Sequence, residues 1–434
     1  MFTGLLNSSL IQGAIPITIG ALSLVALGAV VSRRPVRRWS IAFAGAAVAG
    51  IGIGFALAWY LGDVRNEFGI TLTLMTRAWF AVGVAGVVVA VVSLWRARRW
   101  RIPVGIATVV LFALLGAVGV NATVGEFPTV GDALGVDAVR PLTLSTRPTP
   151  APTRSTGPLW KSWHAPANLV KSGTVGTVVI PARVSHFAAR LAVVYLPPAA
   201  LAKNAPRLPV LIFLGGQPGS PQTVLSAGQL PEIVDAFANA HDGLAPIVVI
   251  PDQLGTSNSN PMCLDSSLGN VATYLTVDVP HWIRTHLAVL SGRDDWAIAG
   301  FSEGGTCSIQ LGTKYRALFG SILDISGQAA PRNGTVAHTI KVGFGGSTAR
   351  YDAGTATSLL AAGSPFASIL GIFVVGQNDA KYGPQTALVV RAARAAHMRV
   401  QSFVSRGTAH DWYTEQYGLR IGLPLLAQQW GLAA

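Results

Sequence analysis

The sequence predicts an α/β domain, a mostly parallel central sheet with helices on both faces, preceded by four transmembrane helices. Three observations predict it. The first 120 residues hold four uncharged apolar runs, residues 166–434 alternate short β-type runs with helical stretches, and a Pro/Thr-rich segment lies between. A chain of 434 residues has room for more than one domain. Half of it is hydrophobic and only 12% is charged, which suits partial immersion in lipid.

The apolar runs cover roughly 9–31, 40–61, 78–95 and 102–120, and none contains Asp, Glu, Lys, Arg or His. Each has about the 17–25 residues that a helix needs to cross a bilayer. Ionisable groups inside a bilayer are costly and tend to mark transport or proton pathways. Uncharged runs therefore favour an anchor over a pump. Pro16 should kink the first span, which neighbouring helices can tolerate. "SRRPVRR" between the first two runs and "RARRWR" between the last two hold four arginines each. The stretch 62–77 holds only Arg65 and Arg77, and the tail before the first run has none. Positive-inside bias then puts both Arg-rich loops in the cytoplasm and both termini outside, as in a multi-pass protein of the cell membrane. The first run lacks a basic leader and is too long for a cleaved signal peptide. Everything after residue 120 is expected on the extracytoplasmic side.

A net charge of +13 raises the question of nucleic acid. Its location answers it. Residues 1–120 carry ten Lys/Arg against Asp63 and Glu67, whereas residues 160–434 carry nineteen against fourteen acids. Most of the basic excess lies beside the apolar runs, so no nucleic-acid partner is expected.

Residues 121–165 read as an extracytoplasmic linker. Within it, "PLTLSTRPTPAPTRSTGP" (141–158) is an extended, semi-rigid tether. In the domain that follows, "GTVGTVVIP" and "RLAVVYLPP" predict an opening antiparallel pair. "LPVLIFLGG", "PIVVIPD", "DWAIAG", "FGSILDISG", "SILGIFVVG" and "RVQSFVS" continue as short strands, with helix-like segments at 227–240, 272–288, 303–314 and 384–397. Buried strands alternating with helices imply a parallel sheet covered on both faces. The two cysteines, Cys263 and Cys307, are expected to be bridged in an oxidising compartment. The other reading is two buried thiols. No metal site is expected, because no histidine spacing matches.

Gly300-Phe301-Ser302-Glu303-Gly304 has the G-x-S-x-G form, between a strand and a run that can be helical. A nucleophile at such a strand-to-helix turn has a strained backbone and needs small neighbours at positions two before and two after. The turn lifts the hydroxyl above the sheet, near the positive end of the next helix. A serine needs a base, and the base an orienting acid, in the chain order Ser, Asp or Glu, His. Three histidines follow Ser302. His338 precedes the best acid and His397 falls in a helix-like run, which leaves His410 in the loop "SRGTAHDW". Asp379, in "GQNDAKYG" after a strand, is the preferred acid, and Asp324, in "SILDISG", is the alternative. The oxyanion needs two preorganised N–H donors. The amide of Glu303 is one. The other is assigned to Gln217 in "GGQPG", because Pro218 has no N–H.

With those residues in place, the chain resembles the esterase D and antigen 85 mycolyltransferase group of α/β-hydrolases, over roughly residues 170–430. The likeness is densest in "TYLTVDVPHWI", "WAIAGFSEGG" and "GTAHDW". It implies an acyl-enzyme on Ser302, an ester substrate, water or a sugar hydroxyl as acceptor, and an actinobacterial cell-envelope setting. The chain departs from the group in its four spans and in offering Asp379 where mycolyltransferases use a glutamate. The expected function is thus a membrane-anchored extracytoplasmic serine esterase or acyltransferase acting on envelope lipid or sugar esters, with no metal or organic cofactor. A second class of reading is a catalytically silent hydrolase-fold module that scaffolds the envelope. The intact Ser–Asp–His order argues against it, as the uncharged spans argue against a transporter.

Overall fold

The computed structural model describes residues 2–32, 37–65, 67, 69–95, 97–136, 139–143 and 157–434. The chain falls into two compact units, Met1–Asp137 and Ala138–Ala434.

The first unit is built on helices α1 (Ala14–Val31), α2 (Arg37–Trp59), α3 (Leu74–Leu94) and α4 (Ile102–Val124), with α2 continued by a π-helical turn over Tyr60–Val64. All four are long and apolar enough to cross a membrane. Large apolar side chains such as Ile17, Leu24, Val48 and Ile106 point outward, as lipid-facing residues do. Between helices, small residues replace bulk. A Cβ on Gly50 would stand 2.6 Å from the Cα of Ala85, and one on Gly54 would stand 2.5 Å from the Cα of Ala81. Such close backbone approach gives packing where water supplies no hydrophobic drive. At one end of the bundle Arg77 pairs with Asp63 at 2.8 Å. Elsewhere Arg101 donates to the Ser32 carbonyl at 3.0 Å, which brings the two Arg-rich connections together. Trp95 and Trp100 are exposed beside that contact, and Trp59 and Tyr60 are exposed at the far end of α2, in the manner of interfacial aromatic belts.

Two sequence expectations change here. The first span begins at Ala14 rather than near residue 9, because Ser9 bridges to Thr129 instead. Pro16 then lies in the first helical turn, where an amide has no intrahelical acceptor to lose, so it does not interrupt the span. The tether expected at 141–158 falls mostly outside the described residues. Its first residues do not stand free. Leu142 donates to the Thr177 carbonyl at 2.9 Å, and Thr177 donates to Arg140 at 3.0 Å, so this segment lies along the sheet edge.

The second unit holds an eight-stranded sheet: β1 (Thr174–Val178), β2 (Ala192–Leu196), β3 (Val210–Leu214), β4 (Ile247–Ile250), β5 (Trp296–Phe301), β6 (Ser321–Ile325), β7 (Leu370–Gly376) and β8 (Arg399–Ser405). Their spatial order is β1-β2-β4-β3-β5-β6-β7-β8. The first pair is antiparallel and β2 meets β4 antiparallel, while every junction from β4 to β8 is parallel. Successive residues of a strand point to opposite faces, and every residue of β3, β4, β5 and β6 is buried. Helices therefore cover both faces. This is why those strands read as unbroken apolar runs rather than alternating ones. The chain order reverses around β3, and the carboxyl ends of β3, β5, β7 and β8 lead into the loops that carry the candidate residues.

Candidate active site

Ser302 joins β5 to helix α5 (Glu303–Lys314) with φ 58° and ψ −112°, a conformation that costs an L-residue energy. The flanking glycines make it possible. A Cβ on Gly300 would run into the backbone of Gly304, and one on Gly304 would run into the Leu214 carbonyl. The amide of Ser302 is held by the Ile325 carbonyl at 2.9 Å, so the turn is fixed against β6.

His410 stands in the loop between β8 and helix α6 (Trp412–Trp430). Its Nε2 lies 2.8 Å from Ser302 Oγ, and its Nδ1 lies 2.8 Å from Asp379 Oδ2. An ionised carboxylate only accepts. Nδ1 therefore carries the proton that goes to Asp379, and Nε2 is left to accept from the serine. Asp379 is in turn oriented by the Tyr382 amide, which donates to Oδ1 at 2.9 Å. The imidazole is stacked on Phe301 at 5.0 Å between ring centres, and Tyr382 covers it at 4.3 Å. Asp411 fixes the loop behind it, accepting from the Ala409 amide at 2.7 Å and the Thr414 amide at 2.9 Å. Burial raises the Asp411 pKa, and those hydrogen bonds oppose the rise.

Asp324, the alternative acid, is elsewhere. It lies under the start of α5, where its Oδ1 accepts from the Gly327 amide at 2.9 Å and its Oδ2 meets no hydrogen-bond partner among the described residues. Burial pushes its carboxyl up to about 7. His338 lies in the helix Val336–Phe344, and His397 follows the helix Gly383–Ala395.

Gln217 sits in the loop after β3, which passes close over the serine. A Cβ on the preceding Gly216 would be 3.5 Å from Ser302 Cβ. Among the described residues no acceptor takes the amide of Gln217 or of Glu303, so both donors are available to a ligand. Cys263 and Cys307 are joined by a disulfide, with Cα atoms 5.6 Å apart, which ties the 263 loop to α5. The side chain of Glu303 points into this region. Its Oε1 is 2.9 Å from Cys307 Sγ and 3.7 Å from Cys263 Sγ, and its Oε2 accepts from Gln253 Nε2 at 3.2 Å. Burial pushes this carboxyl up to about 8; the Gln253 hydrogen bond opposes the rise and the charge of Asp252 adds to it. Cys263, Glu303 and Cys307 form a cluster with metal-ligand chemistry, but both sulfurs are spent on each other. The sequence singles out Glu303 for its amide alone, and Gln253, Tyr382 and the aromatic packing belong to no motif in it. The one local signal for Gln253 is its place just past the end of β4, among the loops at the carboxyl end of the sheet.

Comparison with known proteins agrees with this architecture. A family model described as "Putative esterase" matches residues 189–418. An uncharacterized protein of Corynebacterium glutamicum is 34% identical over 291 residues, which are 66% of this chain and 66% of that relative, just under two thirds of each. Among solved structures, a ferulic acid esterase superposes with a TM-score of 0.52 at 18% identity, over 61% of this chain and 100% of its own. An S-formylglutathione hydrolase from Agrobacterium tumefaciens superposes with a TM-score of 0.51 at 20% identity, over 60% of this chain and 97% of its own. The shared feature is the α/β-hydrolase fold.

Proposed function

The chain belongs to the esterase family of α/β-hydrolases, and from that premise we propose that it is a membrane-anchored serine esterase or acyltransferase whose nucleophile is Ser302. The observation that carries this reading is the unbroken relay from Ser302 Oγ through His410 to Asp379, with both links at 2.8 Å. In the first half-reaction His410 Nε2 takes the Ser302 proton as Oγ attacks the acyl carbonyl. Asp379 keeps the imidazole in the required tautomer and stabilises its charged form. The amides of Gln217 and Glu303 donate to the oxyanion of the tetrahedral intermediate. Collapse releases the alcohol, which leaves with the proton from Nε2, and an ester on Ser302 remains. Water or an acceptor hydroxyl then gives its proton to Nε2, attacks that ester and frees the serine. Hydrolysis and transfer use the same residues and differ in which hydroxyl arrives. The protein's own groups complete both steps, so no cofactor is invoked.

Placement follows two supports. The disulfide between Cys263 and Cys307 suits an oxidising compartment. The Arg-rich connections meet at one end of the helical bundle, as cytoplasmic loops do. The catalytic unit is accordingly assigned to the extracytoplasmic side. Its substrates are then lipid or sugar esters of the envelope, the class implied by the likeness to mycolyltransferases.

A fluorophosphonate probe should label the full-length protein in detergent, and Ser302→Ala should abolish the labelling. Undiminished labelling of that variant would remove Ser302 from the mechanism. With an acyl donor and candidate sugar alcohols, the ratio of new ester to free acid distinguishes transfer from hydrolysis.

A further inference from the structure

Gln253 follows β4 and is only 3% exposed. Its side-chain amide nitrogen makes two hydrogen bonds. It donates to the Gly215 carbonyl at 2.7 Å and to Glu303 Oε2 at 3.2 Å. Those acceptors belong to the two segments that hold the oxyanion donors: Gly215 opens the loop carrying Gln217, and Glu303 begins α5. A peptide unit is planar, so a carbonyl fixed at Gly215 also fixes the direction of the Gly216 amide at the start of the loop that carries Gln217. On the other side the Glu303 carboxyl is wedged between Gln253 and the disulfide, with Oε1 2.9 Å from Cys307 Sγ. A disulfide sulfur has no proton to give. The sulfur therefore adds no donor, and the carboxyl's one described donor is Gln253, at Oε2.

We propose that Gln253 is a positioning residue for the oxyanion hole, holding the loop after β3 and the first turn of α5 at a fixed separation through its one buried amide group. The proposal rests on the reading of Ser302 as nucleophile. Oxyanion donors have their full effect only when they are already aimed where charge develops. The neutral ground-state carbonyl depends on them less than the tetrahedral oxyanion does, so loss of the brace should fall on kcat and spare KM. Glu303 faces Gln253 from α5, and its neighbour Asp252 is engaged by Arg190 at 2.7 Å.

The test uses full-length protein in detergent with a chromogenic ester, and two substitutions. Gln253→Met keeps the length of the side chain and loses both hydrogen bonds. Deleting an oxyanion donor outright costs roughly 10²–10³ in kcat, so misplacing donors should cost about 10- to 100-fold, with KM changed less than about threefold. Gln253→Glu donates to Gly215 only when its carboxyl is protonated, so its kcat relative to wild type should rise as pH is lowered. A group that merely fills space would not produce that response. A folded Met variant with wild-type kcat, or a Glu variant whose deficit is the same at every pH, overturns the proposal. If the Met variant does not fold, the Glu variant decides alone. Failure of the wild-type protein to take the fluorophosphonate would instead strike the assignment of Ser302.

Discussion

Glu303 joins two features in one residue: the amide assigned to the proposed oxyanion hole, and a buried carboxyl that desolvation pushes up to about 8. Burial moves its carboxyl from 4.5 to about 8, and moves Asp324 from 3.8 to about 7. For each acid the folded state holds its proton longer than the unfolded state does. Stability from Glu303 is thus fully present below pH 4.5 and is lost progressively as pH rises toward about 8. Glu303→Gln should flatten that part of the loss and leave the part due to Asp324. Denaturant midpoints of the two proteins across this window measure it, and a variant with the full wild-type slope would contradict the buried, protonated acid. An ionised Glu303 would also put a negative charge on the residue whose amide is assigned to the oxyanion, so kcat should decline above about pH 8 in the wild type and less in the variant. At this scale the sequence was informative where chemistry imposes an order. Ser302, Asp379 and His410 could be chosen because the fold dictates which comes first and which sits in a loop. Gln253 could not, since a glutamine after a strand is an ordinary loop residue until its two acceptors are seen in space.

The disulfide acts between elements, linking the loop after β4 to α5 across 44 residues of chain. Closing a loop of that length restricts the unfolded chain by about 4 kcal/mol in the chain-entropy model. Replacing both cysteines with serine should cost stability on that order, read from denaturant unfolding; an unchanged midpoint would show that the bridge adds nothing. The same bridge reports compartment. Cells quenched in acid and alkylated without reductant should yield both cysteines unmodified until reduction, whereas free thiols in such cells would argue against the extracytoplasmic assignment. The strands from β3 to β7 were legible because burial on both faces makes them continuous apolar runs. Helix α6 was not, because Pro424 and two glycines, Gly418 and Gly422, interrupt the pattern of a segment held by tertiary packing. The start of α1 differs from the apolar run for a related reason: hydropathy extends to the N-terminal side of Gly13, but the backbone there is not helical.

At the scale of the whole molecule, the two units satisfy different solvents. The first presents apolar side chains outward and packs through glycine and alanine. The second buries an apolar sheet and opens polar loops at one end of it. Composition alone announced this division, since the uncharged runs stop before the alternating strands begin. It could not announce what the loops do together, because that depends on residues 108 positions apart meeting at 2.8 Å. The central claim is that this meeting turns Ser302 into an acyl acceptor. The most direct test is to mix the full-length protein with an activated ester, quench in acid within one turnover, and map the added acyl mass by peptide. The account predicts a stoichiometric adduct on the peptide bearing Ser302, absent from Ser302→Ala and slowed by roughly 10⁴ in Asp379→Asn, where the imidazole loses its tautomer. Turnover with no adduct, or an adduct on another residue that persists in Ser302→Ala, would contradict it.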